Sequence, residues 1–237
     1  CIRDSNYLSF GSNGYSTHNF PAFGDLTGDG KEELILALEN GDLYYYLNTS
    51  STGNASFSSA TLLKDKDNNA IKHGSLPSLQ IYDLNKDGLQ DLVLGKKTGE
   101  LVYYENVGNN NSPSFELRND HLGYVDVNSN ISPDGFAIPH FFDINDTTHL
   151  FVGALDGRLR YYTAIDQHLH IDSAFTLASD SLLGLNTGGY SSFVVKDLNN
   201  NNKLDLLVGG DQGGLWRFEV DPNSSIGLEE FQLPRFD

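Results

Sequence analysis

Asp83, Asn85, Asp87 and Asp91 place oxygen side chains at positions 1, 3, 5 and 9 of one nine-residue stretch, with Gly88 at position 6. That pattern suits a hard cation such as Ca²⁺, which takes 6–8 oxygen ligands from side chains and backbone carbonyls. The pattern recurs. Near-copies begin at Asp25 and Asp197, a damaged copy begins at Asp143, and the spacings are 58, 60 and 54 residues. The first stretch offers Asp25, Thr27, Asp29 and Glu33 with the carbonyl of Lys31 at position 7. The second offers Asp83, Asn85, Asp87 and Asp91 with the Leu89 carbonyl, and the fourth Asp197, Asn199, Asn201 and Asp205 with the Lys203 carbonyl. Position 6 is Gly30, Gly88 or Asn202, residues that tolerate left-handed backbone. Position 2 is Leu26, Leu84 or Leu198, a candidate anchor of each loop into a core.

Two other readings of these acids compete. An EF-hand needs a bidentate Glu at position 12 between flanking helices, and here position 12 is Leu36, Leu94 or Val208 inside an apolar run. Plain Asp/Asn turns without metal are the second, since those residues favour turns in any case. Three aligned copies with acids at both positions 1 and 9 favour the cation. In the third copy two residues are missing and His149 stands where the last acid belongs, so no Ca²⁺ is expected in the loop at Asp143. The intact loops carry three, three and two carboxylates, which makes the fourth the weakest site. With calcium at ~1 mM and a Kd of ~0.1 mM, each ion would add about 1.4 kcal/mol by mass action, in keeping with a structural role.

The elements that must hold these loops repeat with them. Each loop runs into an apolar segment (Leu34–Leu38, Leu92–Gly95, Leu150–Gly153, Leu206–Gly209) and then a glycine turn at Gly41, Gly99, Gly157 or Gly213. A Leu and aromatics follow, as in Leu101-Val-Tyr-Tyr104, and a further apolar segment lies on either side of this core. Short β-branched and aromatic runs bounded by Asn-Gly, Thr-Gly and Asp-Gly read as antiparallel hairpins, and no segment keeps a helical period. Each unit is thus four strands, with the acidic loop joining the first two. The expected fold is all-β, a β-propeller of four-stranded blades. Repeats are placed at about 18–75, 76–135, 136–188 and 189–237 of one domain spanning 1–237, with 1–17 a closing or preceding strand. The tyrosine column at 46, 104 and 162 reads as core between blades in preference to a ligand-stacking platform.

These residues resemble the FG-GAP or VCBS-type repeats of integrin α-subunit propellers and many secreted bacterial proteins. The resemblance rests on Asp-x-Asn-x-Asp-Gly-x-x-Asp-Leu-x-x-Gly followed by Gly-x-Leu-x-x-Tyr, and it covers about residues 18–220. The stretch Tyr103–Gly108 with Pro113-Ser-Phe115 is similar to the bacterial versions. The resemblance implies the propeller and calcium, an exterior location, and nothing definite about activity. Family propellers commonly have seven blades, so four repeats leave both a compact four-bladed ring and part of something larger open.

Composition narrows the function. The formal charge is −17, and three calcium ions would bring it to −11, so a phosphate backbone finds no basic patch and nucleic acid is not an expected partner. No apolar run is long enough to cross a membrane. Cys1 is the sole cysteine and there is no methionine, so Cys1 is either the lipid-bearing residue of a processed surface lipoprotein or an accident of where the sequence begins. Sequons at Asn48, Asn54 and Asn223 weigh little in an Asn/Ser-rich chain. No catalytic constellation stands out. His168 and His170 alternate, no Gly-x-Ser-x-Gly elbow is present, and the acidic pairs are absorbed by the loops. The favoured expectation is a calcium-stabilised surface or secreted module that binds a protein or glycan partner through variable loops (48–56, 118–135, 178–189), within a larger surface complex or alone. The alternative is the scaffold of a polysaccharide-acting enzyme, which would need an acid/base cluster of its own.

Overall fold

In a computed structural model the chain is described over residues 18–51, 54–128, 132–169, 173–201 and 203–219. The strand expected within 1–17, and Cys1, His170, Asn202 and Asn223, lie outside these residues. The fold is all-β, of the β-propeller class, built from successive antiparallel blades. The first blade holds β1 (Asn19–Gly24), β2 (Glu33–Leu38), β3 (Leu43–Tyr46) and β4 (Thr61–Leu62). The second holds β5 (Ser78–Tyr82), β6 (Asp91–Gly95), β7 (Leu101–Asn106) and β8 (Phe115–Asn119). The third holds β9 (Ile138–Ile144), β10 (Thr147–Gly153), β11 (Leu159–Thr163) and β12 (Thr176–Ser179), with a single helical turn, α1 (Ile165–His168), between its last two strands. The fourth shows β13 (Ser192–Lys196), β14 (Asp205–Gly209) and β15 (Leu215–Glu219). In every blade, spatial order follows chain order.

Two compact units divide the chain. One contains the described residues up to Lys96 together with Val102–Asp120, the other Lys97–Leu101 together with those from His121 on. In the first, the inner faces of blades 1 and 2 share a core of Leu26, Ile35, Ile81, Leu92, Leu94, Val102, Tyr104 and Phe115. In the second, Phe142, Phe151, Leu159, Val195, Leu206, Val208 and Phe218 do the same for blades 3 and 4. The second strands β2 and β6 are therefore apolar after their first residue and buried at every residue, where a sheet with one wet face would alternate. Tyr46, Tyr104 and Tyr162 are all buried. In the second unit His140 ties two blades, its Nε2 accepting the Val195 N–H at 3.1 Å. Burial pushes the His140 pKa down and keeps that nitrogen an acceptor.

The hairpin glycines at 41, 99 and 157 lie against the segment that leads into the next blade. Gly99 holds φ 109°, and a Cβ there would stand 2.9 Å from the Asn128 amide nitrogen. Gly135, facing it, has room for no side chain either, since its Cβ would lie 2.7 Å from the Gly99 Cα. Just past this crossing the backbone turns left-handed at large residues. Leu76, Phe136 and Tyr190 have φ of 53°, 49° and 48°. Each donates its N–H back to the preceding hairpin, to Glu39, Lys97 and Leu155 respectively. A bulky L-residue in that region is strained by about 1–2 kcal/mol.

Close approach and φ act together at Gly99 but not at Gly88, where a Cβ would meet nothing within 4 Å. Gly99→Ala should therefore cost about 2–4 kcal/mol and Gly88→Ala about 1 kcal/mol, read as melting-temperature drops of about 2–4 °C per kcal/mol in a chain of this size.

Candidate functional site

The four acidic loops sit at the same corner of their blades, between first and second strands. The last loop acid is also the first residue of the second strand. Glu33 pairs with Gly24, Asp91 with Tyr82, and Asp205 with Lys196. This register turns the carboxylate inward under the loop, and all three acids are buried. Each accepts the N–H of loop position 2: Leu26 to Glu33 Oε2 at 2.9 Å, Leu84 to Asp91 Oδ2 at 3.1 Å, Leu198 to Asp205 Oδ2 at 3.0 Å. One buried carboxylate thus fixes where the loop leaves the first strand and where the second begins. Leu26 and Leu84 are buried as anchors. Leu198 is not; it is 49% exposed, in the blade whose described part ends at Glu219.

Above that acid the loop winds on its own side chains. Asp25 accepts from the Asp29 and Gly30 amides, Asp83 from those of Asp87 and Gly88, and Asp197 from those of Asn199 and Asn201. Asp29, Asp87 and Asn201 each accept the position-7 amide of Lys31, Leu89 or Lys203 at 2.8–2.9 Å. Asn85 and Asn199 accept the position-5 amide. Among the described residues, no group of three or more His, Cys, Asp or Glu closes into a metal cage. The three carboxylates of the first loop and the three of the second do not come together as one such group.

What neutralises the buried acid differs from blade to blade. In the first loop Glu33 Oε1 and Thr27 Oγ1 are buried and make no hydrogen bond. Burial raises the Glu33 pKa, with the Leu26, Asn48 and Thr27 amides working against it. Lys31 Nζ lies 2.7 Å from Asp29 Oδ2 and holds that exposed carboxyl below its usual range. In the second loop Asp91 has three donors, the Leu84 and Asn106 amides and the Tyr103 hydroxyl at 3.0 Å, but no cation. Burial outweighs them and pushes the Asp91 pKa up to about 6. The fourth loop has its own counter-ion, since Arg217 reaches Asp205 Oδ1 through Nε at 2.9 Å and Nη2 at 2.6 Å.

The third corner is built differently. Lacking two residues, it closes as a two-residue hairpin turn with Asn145 and Asp146 at φ 50° and 61°, the pattern of a type I′ turn. His149 pairs with Phe142, which is the register of the buried acid elsewhere. Its Nδ1 meets the Tyr161 hydroxyl at 2.7 Å, and its ring stacks on both Phe142 and Tyr161. The Thr148 hydroxyl lies between Asp143 (3.0 Å) and Asp166 of α1 (2.7 Å), and Asp166 also accepts the Thr148 amide.

Four residues to which the sequence assigned no part in the loops complete these corners: Tyr103, Tyr161, Arg217 and Asp166. The first three stand at one place on the third strand, the second residue after its leading Leu, and each faces the last loop residue. Alternation along the strand was the available signal. Asp166 had none, because α1 is an insertion. Away from the corners, His73 Nε2 contacts the Tyr104 hydroxyl at 2.7 Å and His168 Nδ1 the Ser173 hydroxyl.

Comparisons with known proteins follow the same lines. The sequence description of an FG-GAP-like repeat matches residues 25–94. No curated protein matches the chain at a significant level. Among solved structures the chain is similar to a lectin of Agrocybe aegerita, solved for its specific recognition of non-reducing terminal N-acetylglucosamine. Identity is 16% and the TM-score 0.54, over 92% of this chain and 53% of that one. It is also similar to BBS1N in complex with ARL6DN, at 15% identity and TM-score 0.44, over 94% of this chain and 56% of that one. The chain spans about half the length of these structures, and the likeness concerns the fold.

An Asp91 pKa raised above its unfolded value means stability that is complete below about pH 4 and is lost as pH rises through about 6. A rise from the ordinary 3.8 to about 6 corresponds to about 3 kcal/mol. In chelator, urea unfolding of the protein and of Asp91→Asn should diverge by about that amount in the variant's favour between pH 4 and 7. A pH-independent difference would contradict the assignment.

Proposed function

The chain is an FG-GAP-type repeat protein of β-propeller blades, and from that premise we propose that it is a non-catalytic, calcium-stabilised module of the cell exterior that binds a protein or glycan partner. The carrying observation is the pair of buried, unpartnered oxygens in the first loop, Thr27 Oγ1 and Glu33 Oε1. A buried polar atom left without a partner costs about 1–3 kcal/mol, and a cation would satisfy the lone pairs of both oxygens, at ligand positions 3 and 9. The oxygen-only donor set fits a hard ion. Asp25, Thr27, Asp29 and Glu33 with the Lys31 carbonyl would hold the first. Asp83, Asn85, Asp87 and Asp91 with the Leu89 carbonyl would hold the second. The exposed Lys31–Asp29 pair is a weak competitor. Asp197, Asn199, Asn201 and Asp205 with the Lys203 carbonyl would hold the third ion least tightly, because Arg217 already sits on Asp205. The corner at Asp143 holds none, its carboxylate being engaged by Thr148.

Calcium near 1 mM is an extracellular condition, and such modules bind it at about 10⁻⁴–10⁻³ M. A formal charge of −17 argues against nucleic-acid partners and fits acidic calcium corners. Binding, rather than catalysis, is supported by the use of the acids as corner supports. The Agrocybe aegerita lectin supplies a precedent for glycan recognition on this fold.

Calcium at about 1 mM should raise the melting temperature over chelator by the equivalent of about 1–3 kcal/mol. Asp83→Ala should remove part of that increment, and Asp143→Ala should leave it intact whatever it does to the baseline. A melt indifferent to chelator would remove calcium from the account.

A further inference from the structure

We infer that Phe136 and Tyr190, with Lys97 and Asp134 beside them, form a platform for one neutral pyranose residue of a glycan. The inference rests on the binding-module reading and gives it a place and a ligand class. The two rings meet edge to face, with centroids 5.2 Å apart and planes at 67°. Tyr190 is 46% exposed, and Phe136 is partly buried beneath Lys97, whose Nζ lies 5.7 Å from the ring centroid. The same Nζ meets Asp134 Oδ2 at 3.1 Å, both side chains being 35% exposed. The group therefore combines an open aromatic surface, a donor and an acceptor, all in one compact unit.

The backbone sets these rings apart from ordinary surface aromatics. Both hold left-handed φ, 49° and 48°, a conformation that glycine or asparagine would adopt with less strain. The repeats demand this turn, since Leu76 shares it at φ 53°. They do not demand rings there. An exposed ring at a strained position, as at Tyr190, points to a task for the side chain.

A sugar suits that task better than other ligands. Its axial C–H face stacks on an aromatic ring, as small-molecule sites commonly place apolar contact beside a few polar groups. Its equatorial hydroxyls need a donor and an acceptor at the ring edge, and Lys97 and Asp134 are one of each. The ion pair is internally neutral and the chain is acidic, so a neutral sugar meets no repulsion whereas uronic or sulfated chains do. A protein partner would need about 20–30 residues a side, where this platform is built from Phe136, Tyr190, Lys97 and Asp134.

The test titrates the whole chain, in calcium, with malto-, cello-, manno- and chito-hexaose, read by saturation-transfer NMR and calorimetry. At least one should bind with a Kd of about 1 mM or tighter, and Tyr190→Gly should weaken it about tenfold or more. The same variant should hold or raise the melting temperature, because glycine relieves the turn; a ring that merely packs would lower it. Asp134→Asn should weaken binding with the melt unchanged. Should glycine at 190 unfold the protein, Tyr190→Asn gives the same reading. Undiminished affinity in the Tyr190 variants overturns the platform while leaving the binding-module reading in place. Failure of every hexaose at about 10 mM also overturns it and points to a protein partner, and the calcium melt on the same sample reports separately on the module.

Discussion

Three of the four blades turn their first corner on a carboxylate buried at the head of the second strand. Glu33, Asp91 and Asp205 accept the amide two residues into the loop from below, while the position-1 acid winds the loop from above. A buried ionised carboxylate is tolerated only when compensated. Everything distinctive about the corners follows from how each finds that compensation. Asp205 has an arginine, Asp91 a tyrosine hydroxyl and two amides, and Glu33 amides alone, with Oε1 making no hydrogen bond. The third blade removes the charge altogether. Histidine replaces the acid and two residues leave the loop, and a tight turn closes the corner without a loop to support.

This explains why the third-strand residue varies together with the corner. Tyr103 donates to an acid, Tyr161 meets and stacks on a histidine, and Arg217 neutralises an acid. On our proposal a cation does for the first two loops what Arg217 partly does for the fourth. The blades are then not equal partners in calcium dependence: the second unit contains one corner that needs no ion and one that carries its own positive charge.

Much of this was legible in the residues. The period, the loop register and the four-strand unit follow from Asp-x-Asn-x-Asp-Gly and the glycine turn, because turn chemistry and strand alternation are local and repeat four times. The substitution of His149 for the acid was visible as a gap in that register, and the pairing with Phe142 places it there. Other features were not legible. Arg217 on Asp205 is a contact between strands twelve residues apart, and its sequence reads as one more aromatic-rich strand. Leu198 matches Leu26 and Leu84 in sequence, yet it is half exposed where they are buried. Nothing in Phe136 or Tyr190 announces a left-handed backbone, since large residues normally avoid it. That turn is imposed by the amide each donates to the preceding hairpin.

The most direct measurement is the number of calcium ions bound per chain, by equilibrium dialysis and calorimetry of the whole protein. The account predicts ions at the corners beginning at Asp25 and Asp83, a weaker third at Asp197 that tightens in Arg217→Leu, and none at Asp143. No bound calcium at about 5 mM, well above the range such loops require, would contradict it.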